Sequence, residues 1–208
     1  MSSSRFVGVL VALLAVGASG CARVKRFGYE GFGRDGWQQP EKVIDSLGIR
    51  AGDRIADVGA GGGYFTFRLA EATGPEGRVY AVDVDRDMTE YLRERARDEG
   101  AENVEVILAE YHDPLLPEAG VDLVFVCNTY HHIEERSDYF ANVQKYLRPG
   151  GRVAIVEYVP QGWFQRIFPH STSAEEIRRE MEQAGYDLEQ EHGFLSRQSF
   201  LVFTKREG

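Results

Sequence analysis

Two observations predict an α/β fold for this 208-residue chain: a doubly wound, mostly parallel seven-stranded sheet that finishes in an antiparallel hairpin. Short, nearly continuous apolar runs alternate with segments of helical period, the pattern of a parallel sheet covered on both faces. The last two apolar runs have no helical segment between them, and antiparallel pairing is the simple way to join such neighbours. A hydrophobic content of 43% and a charged content of 27% suit one well-buried domain of this length.

The elements follow in order. Residues 22–36, ARVKRFGYEGFGRDG, are rich in Gly and Arg without any period and read as a linker, so the domain proper is placed at 37–208. PEKVIDSLGI predicts a short helix, with Pro40 at its start, Val43, Ile44 and Leu47 as its apolar stripe and Gly48 as its stop. Strands fit 54–58, 78–82, 103–108, 121–128 and 151–158, each apolar or β-branched and bounded by turn residues. Helices fit 63–73, 87–99, 136–147 and 173–184, with Phe140, Val143, Tyr146 and Leu147 showing the helical spacing. LRPGG, Leu147 to Gly151, is a sharp turn into the fifth strand, and 187–192 with SFLVFTK forms the closing hairpin.

The first 21 residues stand apart. One positive charge precedes the apolar run FVGVLVALLAVGAS, and small residues follow it: the layout of a secretory signal, and too short for a spanning helix. ASGC, Ala18 to Cys21, resembles a bacterial lipobox with Cys21 as the lipid acceptor, and an uncleaved membrane anchor is the other reading. Arg23, Lys25 and Arg26 after the run tilt an anchored chain toward a cytoplasmic domain, whereas a lipoprotein signal exports it. The expected localisation is therefore membrane-associated, on either side. Cys127, inside VDLVFVCNTY, reads as a small core residue with no disulfide framework. A formal charge of −9 argues against a nucleic-acid surface.

The chemistry concentrates in RIADVGAGGGYFTFRLA, Arg54 to Ala70. An apolar strand runs into an acid, then into glycines at alternate positions, then into a helix. Glycines so placed let backbone approach closely or turn with positive φ, and in an open parallel sheet the loop after a central strand is where ligands bind. A dinucleotide fingerprint needs glycine at the sixth position, where this chain has Tyr64, so the nicotinamide-dependent oxidoreductase reading is disfavoured.

The chain resembles the class I S-adenosylmethionine-dependent methyltransferases over residues 37–205. Their acid-x-G-x-G-x-G motif is matched by Asp57, Gly59, Gly61 and Gly63, and a second strand ends in Asp83 within VYAVDVDRDM. VDLVFVCNTYHHIE and LRPGGRVAIVE match the fourth strand and the entry to the fifth. The resemblance implies a Rossmann-like fold and S-adenosyl-L-methionine as cofactor. It implies a donor set of Asp57, Gly59, Ala60, Gly61, Gly63, Asp83, Val84, Met88, Asp113 and Asn128. In that set Asp83 holds the ribose hydroxyls, since a carboxylate accepts from both members of a vicinal diol, and Met88 packs on the adenine. For the acid after the third strand, LAEYHDPLLP offers Glu110, His112 and Asp113, with Asp113 preferred.

Methyl transfer is an in-line displacement, which asks the protein for alignment and exclusion of water, and for a base when the acceptor carries an acidic proton. Residues after the fourth strand should face the methyl. Of these His131 is the candidate base and Tyr130 its companion, because an imidazole titrates near neutrality. NTYH lacks the prolines of the family's amino-methylating nucleic-acid enzymes, which disfavours that subclass, and a small-molecule acceptor is the leading expectation. A His131–His132 metal pair fits poorly, because neighbours on an extended segment point to opposite faces, and no metal is assigned. Trp37 and Gln38 before the first helix, and Trp163, Phe164 and His170 after the fifth strand, are either acceptor-pocket aromatics and polar groups or core. The leading reading is a membrane-tethered methyltransferase. Its rival is a catalytically silent, nucleoside-binding lipoprotein. The oligomeric state is not legible.

Overall fold

The strand β1 (Arg54–Val58) lies between β2 (Arg78–Asp83) and β4 (Val121–Cys127), parallel to both. The computed structural model describes residues 33–159 and 171–206. In these, β3 (Val104–Leu108), β5 (Leu147–Tyr158), β6 (Tyr186–His192) and β7 (Gln198–Lys205) complete a seven-stranded sheet in the order β3-β2-β1-β4-β5-β7-β6. Chain order reverses between β1 and β4, so the carboxyl ends of these strands form the crevice where such folds bind ligands. The antiparallel hairpin occupies the expected edge, with β7 inserted beside β5 and the polar β6 outermost. Charged side chains on that outer strand protect it from pairing with another chain.

Helices α1 (Arg34–Gln38), α2 (Pro40–Ser46), α3 (Thr66–Thr73), α4 (Arg86–Asp98), α5 (Arg136–Val143) and α6 (Ala174–Gln183) cover the sheet. Because successive strand residues point to opposite faces, Val124 and Val126 meet Phe140, Val143, Ile177 and Met181 on one side. Phe125 between them meets Phe65, Leu69 and Val43 on the other. All these side chains are buried, and each removes apolar area worth about 1.5–3 kcal/mol from water.

Three boundaries differ from the sequence reading. The helix α1 starts at Arg34, inside the segment read as linker, and α3 starts at Thr66 because Gly59, Gly61 and Gly63 turn with positive φ ahead of it. The fifth strand begins at Leu147, but its register with β4 jumps from Val121–Leu147 to Leu123–Arg152, so the PGG segment bulges out of the ladder. Residues 1–21, with Cys21, lie outside the described residues, as do Trp163, Phe164 and His170. Among the described residues no helix is long and apolar enough to cross a membrane.

Candidate functional site

The glycine turn is built around the ends of β1 and β2. Asp57 is buried, and its carboxylate accepts a 2.6 Å hydrogen bond from the Thr66 hydroxyl, tying the strand end to the start of α3. Burial pushes the Asp57 carboxyl up to about 6; the nearby Asp83 charge adds to this, while Thr66 and Arg34 oppose it. The N–H groups of Gly59 and Ala60 both donate to the Val82 carbonyl, at 2.8 and 3.1 Å, which wraps the turn against β2. Gly59 has φ +76°, and a Cβ there would stand 2.2 Å from the Thr129 hydroxyl oxygen. A Cβ on Gly63 would press on Phe67 and Leu92 at 2.6 and 2.8 Å. These two positions are therefore glycine because neighbouring side chains pack against bare backbone.

Gly61 serves the second strand. Its N–H donates to Asp83 Oδ2 at 2.8 Å, and the Asp85 N–H donates to Oδ1 at 2.9 Å. Burial raises the Asp83 carboxyl, and these backbone donors pull it back. The Val84 N–H also donates to this carboxylate, so backbone donors fix its orientation and its remaining lone-pair capacity is what a ribose hydroxyl would use. Asp83 thus faces the turn, and the residues here fit an adenosyl ligand. Val84, 42% exposed, offers an apolar surface next to it.

Two expected adenine contacts do not form part of this surface. Met88 is only 1% exposed, enclosed by the protein's own packing, and presents no open face. Asp113 turns away: its Oδ1 accepts from the Tyr146 hydroxyl and its Oδ2 from Lys145 Nζ at 3.1 Å. Burial works against its charge, but hydrogen bonds from Tyr146, the Leu115 N–H and Lys145 outweigh it and hold the carboxyl down to about 2. Asp113 anchors the β3–β4 loop to the end of α5. Glu110 is the exposed acid nearer Asp83, since the preceding Ala109 N–H donates to the Asp83 carbonyl at 2.9 Å. His112 is exposed in the same loop.

The carboxyl ends of β4 and β5 form the other half of the crevice. Asn128, at φ +55°, receives a 2.7 Å hydrogen bond from Gln198 Nε2, so strand β7 sets its amide. Tyr130 is not a catalytic group in this geometry. Its ring is fully buried and stacked on Phe140, and its hydroxyl donates to Glu180 of α6 at 2.8 Å. His131, one residue on, opens differently. Its Nδ1 lies 2.9 Å from Oε1 of Glu157, a carboxylate with no exposed surface near the end of β5. The His131 ring is 14% exposed and lies 4.0 Å, centroid to centroid, from that of His132. A cavity of about 940 Å³ adjoins them, lined also by Glu134, Arg136, Arg179 and Glu180.

Helix α1 covers the crevice. Gln38 is fully buried with its amide donating to Cys127 Sγ at 3.0 Å, Trp37 packs against Tyr158, and the Arg34 guanidinium lies 3.8 Å from the Tyr64 ring centroid. Burial pushes the Cys127 thiol up to about 12, so it is a packing group rather than a nucleophile. Sequence reasoning missed Glu157, Arg34 and Gln198. Glu157 had a signal: it is an acid at the carboxyl end of the apolar run VAIVEY, the same kind of position that drew attention to Asp83. Arg34 was hidden in the apparent linker, and nothing local marks Gln198.

Comparison with known proteins bears on the same residues. A family model described as a methyltransferase domain matches residues 49–194. Phosphoethanolamine N-methyltransferase 1 of Triticum aestivum is 29% identical over 172 residues, covering 82% of this chain and 32% of its own length. The ubiquinone/menaquinone biosynthesis C-methyltransferase UbiE of Ectopseudomonas mendocina is 29% identical over 121 residues, covering 58% of this chain and 47% of its own. The chain thus spans between a third and a half of the length of these curated relatives. A crystal structure of a SAM-dependent methyltransferase from Aquifex aeolicus superposes with a TM-score of 0.81 at 25% identity, covering 86% of this chain and 96% of that one.

Proposed function

The chain belongs to the methyltransferase-domain family, with S-adenosyl-L-methionine as its cofactor, and from that membership we propose that it methylates a small-molecule acceptor held in the cavity beside His131. The observation that carries the reading is the Asp83 carboxylate, facing the glycine turn and fixed there by backbone donors that include the Gly61 N–H. When bound, the cofactor supplies an electrophilic methyl group on a sulfonium. The chain's own residues do the rest. Asp83 would grip the sugar, Asp57 and Thr66 hold the turn in shape, and α1 with Trp37 and Gln38 excludes water. Asn128 and His131 stand at the carboxyl end of β4 where this fold brings the acceptor, and His131 is the group suited to take a proton from it.

Calorimetric titration of the full chain with S-adenosylhomocysteine and with NADH tests this. Saturable binding of the first and none of the second is expected, with Asp83→Asn weakening the first by about tenfold, the equivalent of about 1.4 kcal/mol. Tight NADH binding, or unchanged affinity in Asp83→Asn, would overturn it. Membrane tethering through residues 1–21 belongs to the same proposal, supported by their signal-like pattern. Mass measurement of the mature N-terminus and protease accessibility in intact cells test that part.

A further inference from the structure

We infer that Glu157 is a positioning residue that fixes the tautomer of His131, and that the acceptor is consequently a molecule whose reacting atom sheds a proton, a hydroxyl, an acidic carbon or a primary or secondary amine, rather than a tertiary amine or thioether. This rests on the methyl-transfer reading above and deepens it. A fully buried carboxylate is costly unless its lone pairs are used, and those of Glu157 are used on one neighbour above all. Oε1 lies 2.9 Å from His131 Nδ1 and accepts from the Tyr158 N–H at 2.8 Å, and Oε2 accepts from the His131 backbone N–H at 3.4 Å. One side chain thereby holds residue 131 by both its ring and its main chain.

The consequence is chemical. An ionised carboxylate only accepts, so the ring must donate from Nδ1, and the neutral imidazole then carries its lone pair on Nε2. A histidine sealed in the core would have no use for such a lone pair, but His131 lines the cavity and keeps an exposed edge. As the acceptor oxygen, carbon or nitrogen takes the methyl, its proton passes to Nε2, and the carbon–sulfur electron pair stays on sulfur. The positive charge that leaves the sulfonium ends on an imidazolium whose Nδ1–H points at the Glu157 carboxylate. An acceptor with no proton to lose would leave this arrangement without a task.

Nitrogen NMR of the full chain labelled at histidine, at mildly alkaline pH, reads the tautomer directly, with His131→Gln assigning the signal. The Nδ1–H form is expected in the parent and a substantial Nε2–H population in Glu157→Gln, because a glutamine amide can donate to Nδ1. With hydroxyl-bearing acceptors, Glu157→Gln and His131→Gln should lower kcat about a hundredfold while KM stays within about threefold, and Glu157→Asp should recover part of the loss. An Nε2–H parent, a tautomer unchanged in Glu157→Gln, a KM effect alone, or methylation confined to tertiary amines would overturn the inference. Titration with S-adenosylhomocysteine keeps the two readings apart. Loss of that binding in the parent sinks methyl transfer itself, whereas intact binding with the wrong tautomer sinks only the role of Glu157.

Discussion

The two halves of the crevice are built by different means. At the ends of β1 and β2 the backbone does the work: N–H groups of Gly59, Ala60 and Gly61 point at Val82 and Asp83, within 25 residues of one another. At the ends of β4 and β5 the work is done by side chains: Glu157 reaches His131, and from much farther along the chain Gln198 reaches Asn128 and Gln38 reaches Cys127. The first half suits a ligand part common to a whole family, because backbone geometry varies little with side-chain replacement. The second suits whatever differs between members, because each contact is a single replaceable residue.

The sharpest way to break this contrast is at Gly59. If the turn is a backbone device clamped by Thr129, Gly59→Ala should cost about 4 kcal/mol, from the positive φ and from a Cβ 2.2 Å from the Thr129 hydroxyl. Denaturant midpoints measure this, and Thr129→Ala in the same chain should return part of the loss. A Gly59→Ala protein as stable as its parent would mean that the turn is not clamped, and the division drawn above would fall.

Asp57 gives the next largest effect and tests whether the turn's acid is truly enclosed. Its folded value of about 6 lies above the ordinary carboxylate value of 3.8. Between pH 4 and 6, roughly, the native state holds a proton that the unfolded state has released, so this group makes stability fall as pH rises through that window and level off above it. Asp57→Asn cannot ionise and still accepts from Thr66. The stability difference between the two proteins should therefore shift by about 2 kcal/mol in favour of Asp57→Asn from pH 4 to pH 7. Read from urea midpoints at the two pH values, no shift would place Asp57 in contact with water, and a shift of the opposite sign would place it beside a fixed cation.

This contrast also decides what could be read without coordinates. The fold was legible because its signals are local: apolar runs, helical spacing, and two final strands with no helix between them. Asp57, the glycines and Asp83 were legible for the same reason, being strand ends and a turn within one βαβ unit. The errors share a cause. Asp113 looked like an adenine ligand because it follows β3, but Tyr146 and Lys145, more than thirty residues on, claim its carboxylate. Met88 was read as an adenine contact because it matches a position that packs there in the family it resembles, yet tertiary packing closes over it. Glu157 ends an apolar run as Asp83 does and was passed over because no glycine turn marks its partner, the His131 ring, as a place where a ligand meets the backbone.

Tyr130 gives the smallest effect and sharpens the acceptor half. Its phenol was expected beside the methyl, and instead it donates to Glu180, which also receives the Arg136 guanidinium at 2.8 Å. Removing that hydroxyl takes one hydrogen bond from a carboxylate that retains its cation, so Tyr130→Phe should cost about 1 kcal/mol of stability. Because Arg136 and Glu180 line the cavity but do not touch the Glu157–His131 contact, acceptor KM is free to move slightly while kcat should stay within about twofold of the parent. A hundredfold loss of kcat in Tyr130→Phe, with stability unchanged, would return Tyr130 to the chemistry. The stacked ring on Phe140 would then have to swing out of the core during turnover, and the acceptor half would be a moving part rather than a preassembled one.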